Sequence, residues 1–402
     1  MSGTESPDVI VVGGGPAGLA AAVTLAEGGL TTALVGKRPA KSDNRTTALL
    51  AGSVTALETL GVWPLCEHAA APFRILRIID DTGRLWRAPE VKFTSDEIGR
   101  DAFGYNIENR HLIAALEQRA RALPRLQIIE DEVLSVVSVG EAVTVSVKGG
   151  ETLRAPLAVG ADGRQSMCRA AAGIKTHERS YPQTALTVCL RHSRPHHDTS
   201  TEFHTPSGPF TLVPLPNNRS SLVWVLDPSE AGQMTDIDNS ELADEIEHAS
   251  HSILGKIEVE PGRGLFPLHV ATAQRFSDRR IALVGEAAHV VPPIGAQGLN
   301  LGLRDAATIG ELAVAAHRSG GQIGGTDMLA HYDRMRRTDI GSRALAIDLL
   351  NRTLLTDFLP AQALRGIGLY LIDNVGPLRR ALMREGIAPA ASQPRLMRGE
   401  ML

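Results

Sequence analysis

The chain predicts an α/β protein: a doubly wound, Rossmann-like parallel sheet that carries an antiparallel-sheet second domain and a helical C-terminal tail. Three observations lead there. A β-branched apolar run near the start breaks into spaced glycines and resumes as a helix former. The same buried-strand texture returns far along the chain, in LAVG (157–160) and IALVG (281–285). Between them, residues 179–269 hold isolated short strands set off by proline and histidine, a texture of antiparallel structure.

The first element is DVIVVGGGPAGLAAA (8–22). Val9, Ile10, Val11 and Val12 suit a buried parallel strand, and Gly13, Gly15 and Gly18 fit the spacing G-x-G-x-x-G. In that pattern Gly13 permits the tight turn and Gly15 lets a pyrophosphate approach the main chain. Gly18 lets the helix pack closely on the strand, with its N-terminal amides facing the anion. A second strand, TTALV (31–35), follows on schedule, so a dinucleotide ligand is expected. The acid that normally ends this second strand and holds ribose hydroxyls is missing, because LVGKRP puts Gly36, Lys37 and Arg38 there. Basic residues suit a 2'-phosphate, so this stretch leaves FAD and NADP both open.

Further along, a helix is expected from about Thr47 to Leu60, then a hairpin in RILRIID, DTG and RLWRA (74–88) that turns at Asp81 to Gly83. The stretch 110–122 carries apolar residues at helical spacing, and 126–160 alternates as short strands. TALTVCL, GPFTLVPL and SSLVWVL read as strands of the second domain, with one helix near 239–254, and a long helical tail begins at about Leu299. The expected division is a discontinuous nucleotide domain of residues 1–72, 102–178 and 270–340, a substrate domain of 73–101 and 179–269, and a C-terminal helical region of 341–402.

Composition narrows the function. At 402 residues and a formal charge of −4, with no dense basic run, the chain has no drive toward nucleic acid. Cys66, Cys168 and Cys189 lack C-x-x-C spacing and read as buried, reduced thiols. The polar, acidic start MSGTESPD is not a secretory leader, and no stretch reaches the roughly 18 apolar residues of a spanning helix, so a cytoplasmic location is expected. RHSRPHHD (191–198) matches no metal-ligand spacing and reads as surface histidines in a loop; no metal is expected. No G-x-S-x-G elbow supports a serine triad.

LAVGADGRQSMCR (157–169) is a strand entering a turn with Asp162, Gly163, Arg164 and Ser166. IALVGEAAHVVPPIGAQGLNLGLRDAA (281–307) is a strand, a turn, a Pro-Pro loop and a glycine-rich helix start. Together with residues 8–38, in this order and spacing, they resemble the group A FAD-dependent aromatic hydroxylases, the class of p-hydroxybenzoate hydroxylase. PPIGAQGLNLGLRD, YDRMRRTD (332–339) and the tail from Asn351 to Gly386 look most like the ubiquinone-biosynthesis hydroxylases within that class. The resemblance implies the class's FAD-binding fold over essentially the whole chain. It implies that Gly13, Gly15 and Gly18 bind the FAD pyrophosphate, that Arg45 and Arg110 reach the cofactor, and that Asp162 and Gly163 serve both FAD and the nicotinamide nucleotide. Gly285 and Glu286 stand at its GD motif, with Glu286 in place of the expected Asp on the ribityl chain. Pro293, Gly295, Gly298, Leu299 and Asn300 are expected to bring main chain to the flavin ring.

The activity the resemblance implies is monooxygenation. NAD(P)H reduces FAD, O2 adds to give a C4a-hydroperoxyflavin, and a polyprenylated phenol is hydroxylated on its ring in an apolar pocket. Phe203, Phe210 and Trp224 are candidate contacts to ring or tail, although core packing suits each equally. The tail from Leu345 to Leu382 mixes apolar faces with Arg365, Arg379, Arg380 and the following Arg384, which suits a helix lying on lipid headgroups at the inner membrane face, on a partner in a quinone-biosynthesis complex, or on its own domain. Two alternatives stay open: a flavin monooxygenase of a small soluble aromatic, and a non-catalytic FAD-binding scaffold.

Overall fold

The computed structural model describes residues 6–38, 45–83, 89–292, 296–355, 376, 379–380, 383 and 393–402. It opens with β1 (Val9–Val12), the alanine-rich helix α1 (Pro16–Glu27) and β2 (Thr32–Val35), in parallel register from Val9 opposite Thr32 to Val12 opposite Val35. Next come β3 (Thr46–Leu50) and α2 (Ala51–Thr59). The helix expected from Thr47 therefore starts four residues later. The strand β7 offers Thr46–Leu50 an antiparallel ladder, and the β-branched Thr46 and Thr47 take it, so tertiary pairing outweighs local pattern.

β4 (Ala70–Phe73), β5 (Ile75–Asp80), β6 (Val91–Thr94), β7 (Gly104–Glu108) and α3 (Asn109–Arg121) follow. The antiparallel partner of β5 is β6, with Ile75 opposite Thr94, rather than RLWRA, of which residues 84–88 lie outside the described residues. The turn after β5 is held by Asp80 Oδ1, which accepts from the Thr82 amide and hydroxyl. β8 (Leu126–Ile129), β9 (Val133–Val139), β10 (Ala142–Val147), β11 (Thr152–Ala155) and β12 (Leu157–Gly160) are the short alternating strands, and α4 (Met167–Ala171) closes this part.

The long strand β13 (Thr176–His192), then β14 (Thr199–His204), β15 (Pro209–Leu215) and β16 (Arg219–Leu226), precede two helices, α5 (Pro228–Asp236) and α6 (Asn239–Ala249). Each of these helices starts at an aspartate in a capping box, Asp227 with Glu230 and Asp238 with Glu241. β17 (Ile257–Val259), β18 (Gly264–Ala273), β19 (Ser277–Asp278), β20 (Ile281–Leu283) and β21 (His289–Val290) lead to the long helices α7 (Gln297–Arg318) and α8 (Thr326–Leu355).

The central sheet runs β19-β20-β12-β1-β2-β8, drawn from widely separated stretches of chain. Its middle strands β20, β12, β1 and β2 are buried on both faces, in keeping with Val, Ile, Leu and Ala at every position but Thr32 and Gly160. The large second sheet runs β21-β18-β13-β16-β15-β14-β5-β6, with β17 also on β13. It is antiparallel apart from one parallel pair, β5 with β14.

Alternation sets the two faces of this second sheet. Leu186, Val188, Leu190, Phe203, Phe210, Leu212, Leu222 and Trp224 pack in one core with Ala231 of α5 and Leu242, Ala243 and Ile246 of α6. Phe210 meets Phe203 and Trp224 edge-on, at 5.7 and 5.1 Å between ring centres. The three aromatics considered as ring or tail contacts are thus core residues under two helices. Ala185, Thr187, Ser221, Val223 and Val225 take the opposite face. There Asn106 Nδ2 of β7 donates to Ser221 Oγ and to the Pro214 carbonyl, at 2.9 and 3.0 Å.

The RHSRPHHD histidines are likewise not all on the surface. His192 is buried, with Nδ1 donating to the Arg194 carbonyl at 2.7 Å and Nε2 bonded to the Ser220 hydroxyl, and His196 donates to the Leu215 carbonyl. They brace a loop. Most of the stretch from Leu345 to Leu382 lies outside the described residues. Arg379, counted there among headgroup candidates, instead stacks on Phe93, 4.5 Å from the ring centre, and pairs with Glu97 at 2.6 Å. Near the C-terminus, Leu396 and Met397 are buried, and the Arg395 amide donates to Glu311 of α7.

Candidate functional site

The glycine turn between β1 and α1 separates into two kinds of glycine. Gly13 has φ +120°, and a Cβ there would lie 2.2 Å from the Ala161 carbonyl oxygen; at Gly18 it would lie 1.9 Å from the Gly13 oxygen. Both are required by the fold. Gly15 is different: its φ of −74° suits any residue, and a Cβ there would meet nothing within 4 Å. Gly15 is also the N-cap of α1, with no side chain capping the helix and no acid in its first turn. The helix thus presents its positive end, with amides that lack intrahelical partners, beside open space.

Two distant segments close on this turn. After β12 the Ala161 amide donates to the Val12 carbonyl at 2.7 Å, which sets Ala161 and Asp162 directly against Gly13. Asp162 accepts from Ser166 Oγ at 2.5 Å and from the Cys168 amide at 3.0 Å, so its carboxylate shapes the turn into α4. Gly163 has φ +78° and open space beyond it. From the other side, a Cβ on Gly285 (φ +59°) or on Gly302 would come within 3.0 or 3.3 Å of Ala17 Cβ, which packs the Gly285–Ala287 turn and α7 onto the start of α1. Arg164 Nε donates to Glu286 at 3.3 Å and Arg169 Nη1 to the Ala287 carbonyl at 2.9 Å, linking the second and third segments. The Glu286 side chain is half exposed.

The other expected site residues fall as follows. Arg45 and Arg110 are brought near one another by the β3–β7 ladder, where the Asn109 amide donates to the Arg45 carbonyl. The Arg45 guanidinium lies 5.9 Å from the Phe266 ring centre, and Arg110 pairs with buried Glu108 at 2.8 Å in a groove of about 1050 Å³ that Arg191 and Arg219 also line. Burial would raise the Glu108 carboxyl, but Arg219 and Arg110 hold it below its ordinary value. α7 begins at Gln297 after Ala296, which is left-handed at φ 54°; no side chain caps it and no acid stands in its first turn. Gly298 is exposed there and Leu299 is half-buried. The Asn300 side chain is committed to structure: Oδ1 accepts from the Leu50 amide and Nδ2 donates to the Ala48 carbonyl, at 2.9 and 2.8 Å. Pro293 and Gly295 lie outside the described residues.

The basic residues after β2 are paired within the chain. Lys37 meets Glu132 at 3.0 Å, and Arg38 meets Glu130 and Glu117. Their charge is therefore largely balanced where a 2'-phosphate was one reading.

Sequence reasoning missed a buried cluster behind the Gly285–Ala287 turn. Asp305 Oδ2 accepts from the Gly285 amide at 2.8 Å and from His289 Nε2 at 2.7 Å, while Oδ1 accepts from Arg336 Nε at 2.6 Å. Arg336 Nη1 donates to Asp339 at 2.7 Å. Burial alone would raise the Asp305 carboxyl, yet Arg336, His289 and the Gly285 amide hold it below its ordinary value. The signal was present in GLRD and YDRMRRTD, stretches that carried the resemblance without a role for their charges.

Residues 6–345 match the family described as "FAD binding domain". Over 408 aligned residues, 99% of this chain and 94% of the relative, the chain is 33% identical to ubiquinone hydroxylase UbiL of Rhodospirillum rubrum. The chain belongs to the FAD-dependent ubiquinone hydroxylase family. A second member, 3-demethoxyubiquinol 3-hydroxylase of Escherichia coli K12, is 30% identical over 391 residues, covering 95% of this chain and 98% of that one. Among solved structures, p-nitrophenol 4-monooxygenase PnpA of Pseudomonas putida DLL-E4 superposes with a TM-score of 0.76 at 20% identity, over 94% of this chain and 96% of that one.

As a member of this hydroxylase family the chain is an FAD-dependent monooxygenase that uses NAD(P)H. Its geometry fits the cofactor. Open space lies at Gly15 and Gly163, and α1 and α7 both start without an acid that would repel a phosphate or a reduced flavin.

Proposed function

We propose that this chain hydroxylates the aromatic ring of a polyprenylated phenol in ubiquinone biosynthesis. The observation that carries the reading is the convergence of three far-apart segments on one open glycine turn, in a chain similar to a ubiquinone hydroxylase over nearly its whole length. FAD, when bound and reduced by NAD(P)H, supplies the activation of O2 that the ring insertion needs.

The chain's own residues bind and shield. Gly13, Gly15 and Gly18 form the pyrophosphate turn, Arg45 and Arg110 reach the cofactor, Arg110 at its phosphates, and Asp162 and Gly163 border both nucleotides. Gly285 and Glu286 hold the ribityl chain, the longer Glu286 side chain starting from a half-exposed position beside Arg164. The amides of Gly298, Leu299 and Asn300 in the first turn of α7 favour negative charge on the reduced ring, and Pro293 and Gly295 line its edge. Residues 73–101 and 179–269 form the substrate domain over a cofactor domain of 1–72, 102–178 and 270–340, with 341–402 as the helical C-terminal region. On the second sheet's face with Ala185 and Val225, the part-buried Thr187 and Val223 supply small side chains suited to a ring and to excluding water. No side-chain nucleophile takes part.

A polyprenyl substrate resides in the bilayer, so the enzyme meets it peripherally, at the cytoplasmic face of the membrane and beside other quinone-synthesis enzymes. No helix among the described residues is long and apolar enough to cross a membrane. The test joins two measurements. Purified protein should show flavin absorbance and oxidise NADPH faster when a prenylated phenol is added, and deletion of the gene should accumulate an under-hydroxylated quinone precursor by mass spectrometry. Flavin binding with no stimulated oxidation would reduce the chain to a scaffold. Stimulation by a soluble phenol with an intact quinone pool would move the substrate class.

A further inference from the structure

Five polar side chains, His289, Arg304, Asp305, Arg336 and Asp339, meet in the core behind the Gly285–Ala287 turn, each less than a tenth exposed. Two carboxylates and two guanidiniums balance there: Arg336 bridges Asp305 and Asp339, and Arg304 Nε approaches Asp339 at 3.3 Å. Such a cluster is costly to bury, and apolar residues of similar volume often serve stability as well or better. What Asp305 does beyond balancing charge is visible in its other contacts. Its Oδ2 accepts from the Gly285 amide and from His289 Nε2, so both ends of the segment from Gly285 to His289 are pinned to one carboxyl oxygen. Gly285 is left-handed, a conformation glycine takes freely and leaves as freely, so its contact with Asp305 is what keeps it in one place, and Glu286 follows it directly.

We infer that Asp305 is a positioning residue for the cofactor: by holding Gly285 and His289 it fixes where Glu286 and the turn's amides stand toward the ribityl chain. This rests on Gly285 and Glu286 being part of the FAD site. A role in charge balance alone would be shared equally by Asp339, which sits in the same cluster and whose described pairings are with Arg336 and Arg304.

Asp305→Asn keeps the shape but turns an amide donor toward either Arg336 or the turn. Asp339→Asn removes the same charge from the same cluster and leaves the turn's acceptor in place. Both variants are expected to lower the melting temperature of the FAD-free protein. Only Asp305→Asn should raise the Kd for FAD, at least tenfold above that of Asp339→Asn, and alter the visible flavin spectrum of the bound form. Equal affinities and identical spectra for the two would overturn the proposal while leaving the FAD site itself standing. A wild-type chain that takes up no FAD would overturn both. Should Asp305→Asn fail to fold, Arg336→Lys keeps the charge but cannot bridge both carboxylates. It should speed hydrogen exchange at the Gly285 amide in FAD-free protein and weaken FAD; unchanged exchange and affinity would equally refute the role.

Discussion

Gly15→Val is the sharpest perturbation of the dinucleotide reading. Gly15 sits at φ −74° and ψ 174°, where valine is unstrained, and the position of its Cβ has no protein atom within 4 Å. The folded, FAD-free protein should therefore lose no more than about 1 kcal/mol, the usual scale of an N-cap change. The space it fills is the space a pyrophosphate needs. Displacing two charge-assisted amide–phosphate hydrogen bonds, at about 1.5 kcal/mol each, removes about 3 kcal/mol, or roughly 150-fold in Kd. Flavin fluorescence quenching measures the affinity and thermal denaturation of the FAD-free protein measures the fold. Gly13→Ala and Gly18→Ala serve as contrasts: their Cβ atoms collide with main chain at 2.2 and 1.9 Å, so they should lose the fold and not merely the ligand. A Gly15→Val protein that binds FAD as tightly as wild type would refute the pyrophosphate assignment.

Other outcomes follow from the same geometry. Glu286→Ala should weaken FAD about tenfold through loss of one charged hydrogen bond, read by the same quenching titration. Trp224→Ala, in the core under α6, should cost about 3–5 kcal/mol in denaturant unfolding while leaving KM for the phenol unchanged in the fraction that folds. Arg379 holds the Glu97 carboxyl down at about 2, from an ordinary 4.5, so its stabilisation is complete above pH 4.5 and fades as pH falls toward 2. The melting-temperature gap between wild type and Glu97→Gln should accordingly be largest near neutrality and shrink below pH 4.5.

The parallel core was legible because buried central strands must be apolar on both faces, and β1, β2, β12 and β20 each declare this in four residues or fewer. The three turns were legible because glycine spacing records main-chain geometry. What escaped was set by partners far away in sequence. Thr46–Leu50 reads as the start of a helix until β7 is beside it. Phe210 and Trp224 lie on strands with apolar residues on both faces, and Phe203 on a mostly polar one, so only the placement of α5 and α6 says which face they serve. Asn300 is expected to bring main chain to the flavin ring, but that its side chain also ties α7 to β3 could not be read without β3 beside it. The Asp305 cluster joins residues from positions 285 to 339 through side chains and the Gly285 amide, and pairing at such separations leaves no periodic trace.

The separation of the three segments also orders events during synthesis. Gly13 emerges first and Ala161 can reach it later, but the Gly285–Ala287 turn and the start of α7 leave the ribosome well after both. Ligand stabilises only a state that can bind it. Flavin capture is thus a late event, and a nascent chain must hold its half-built sheet together, apolar strands and all, without help from the molecule it will carry.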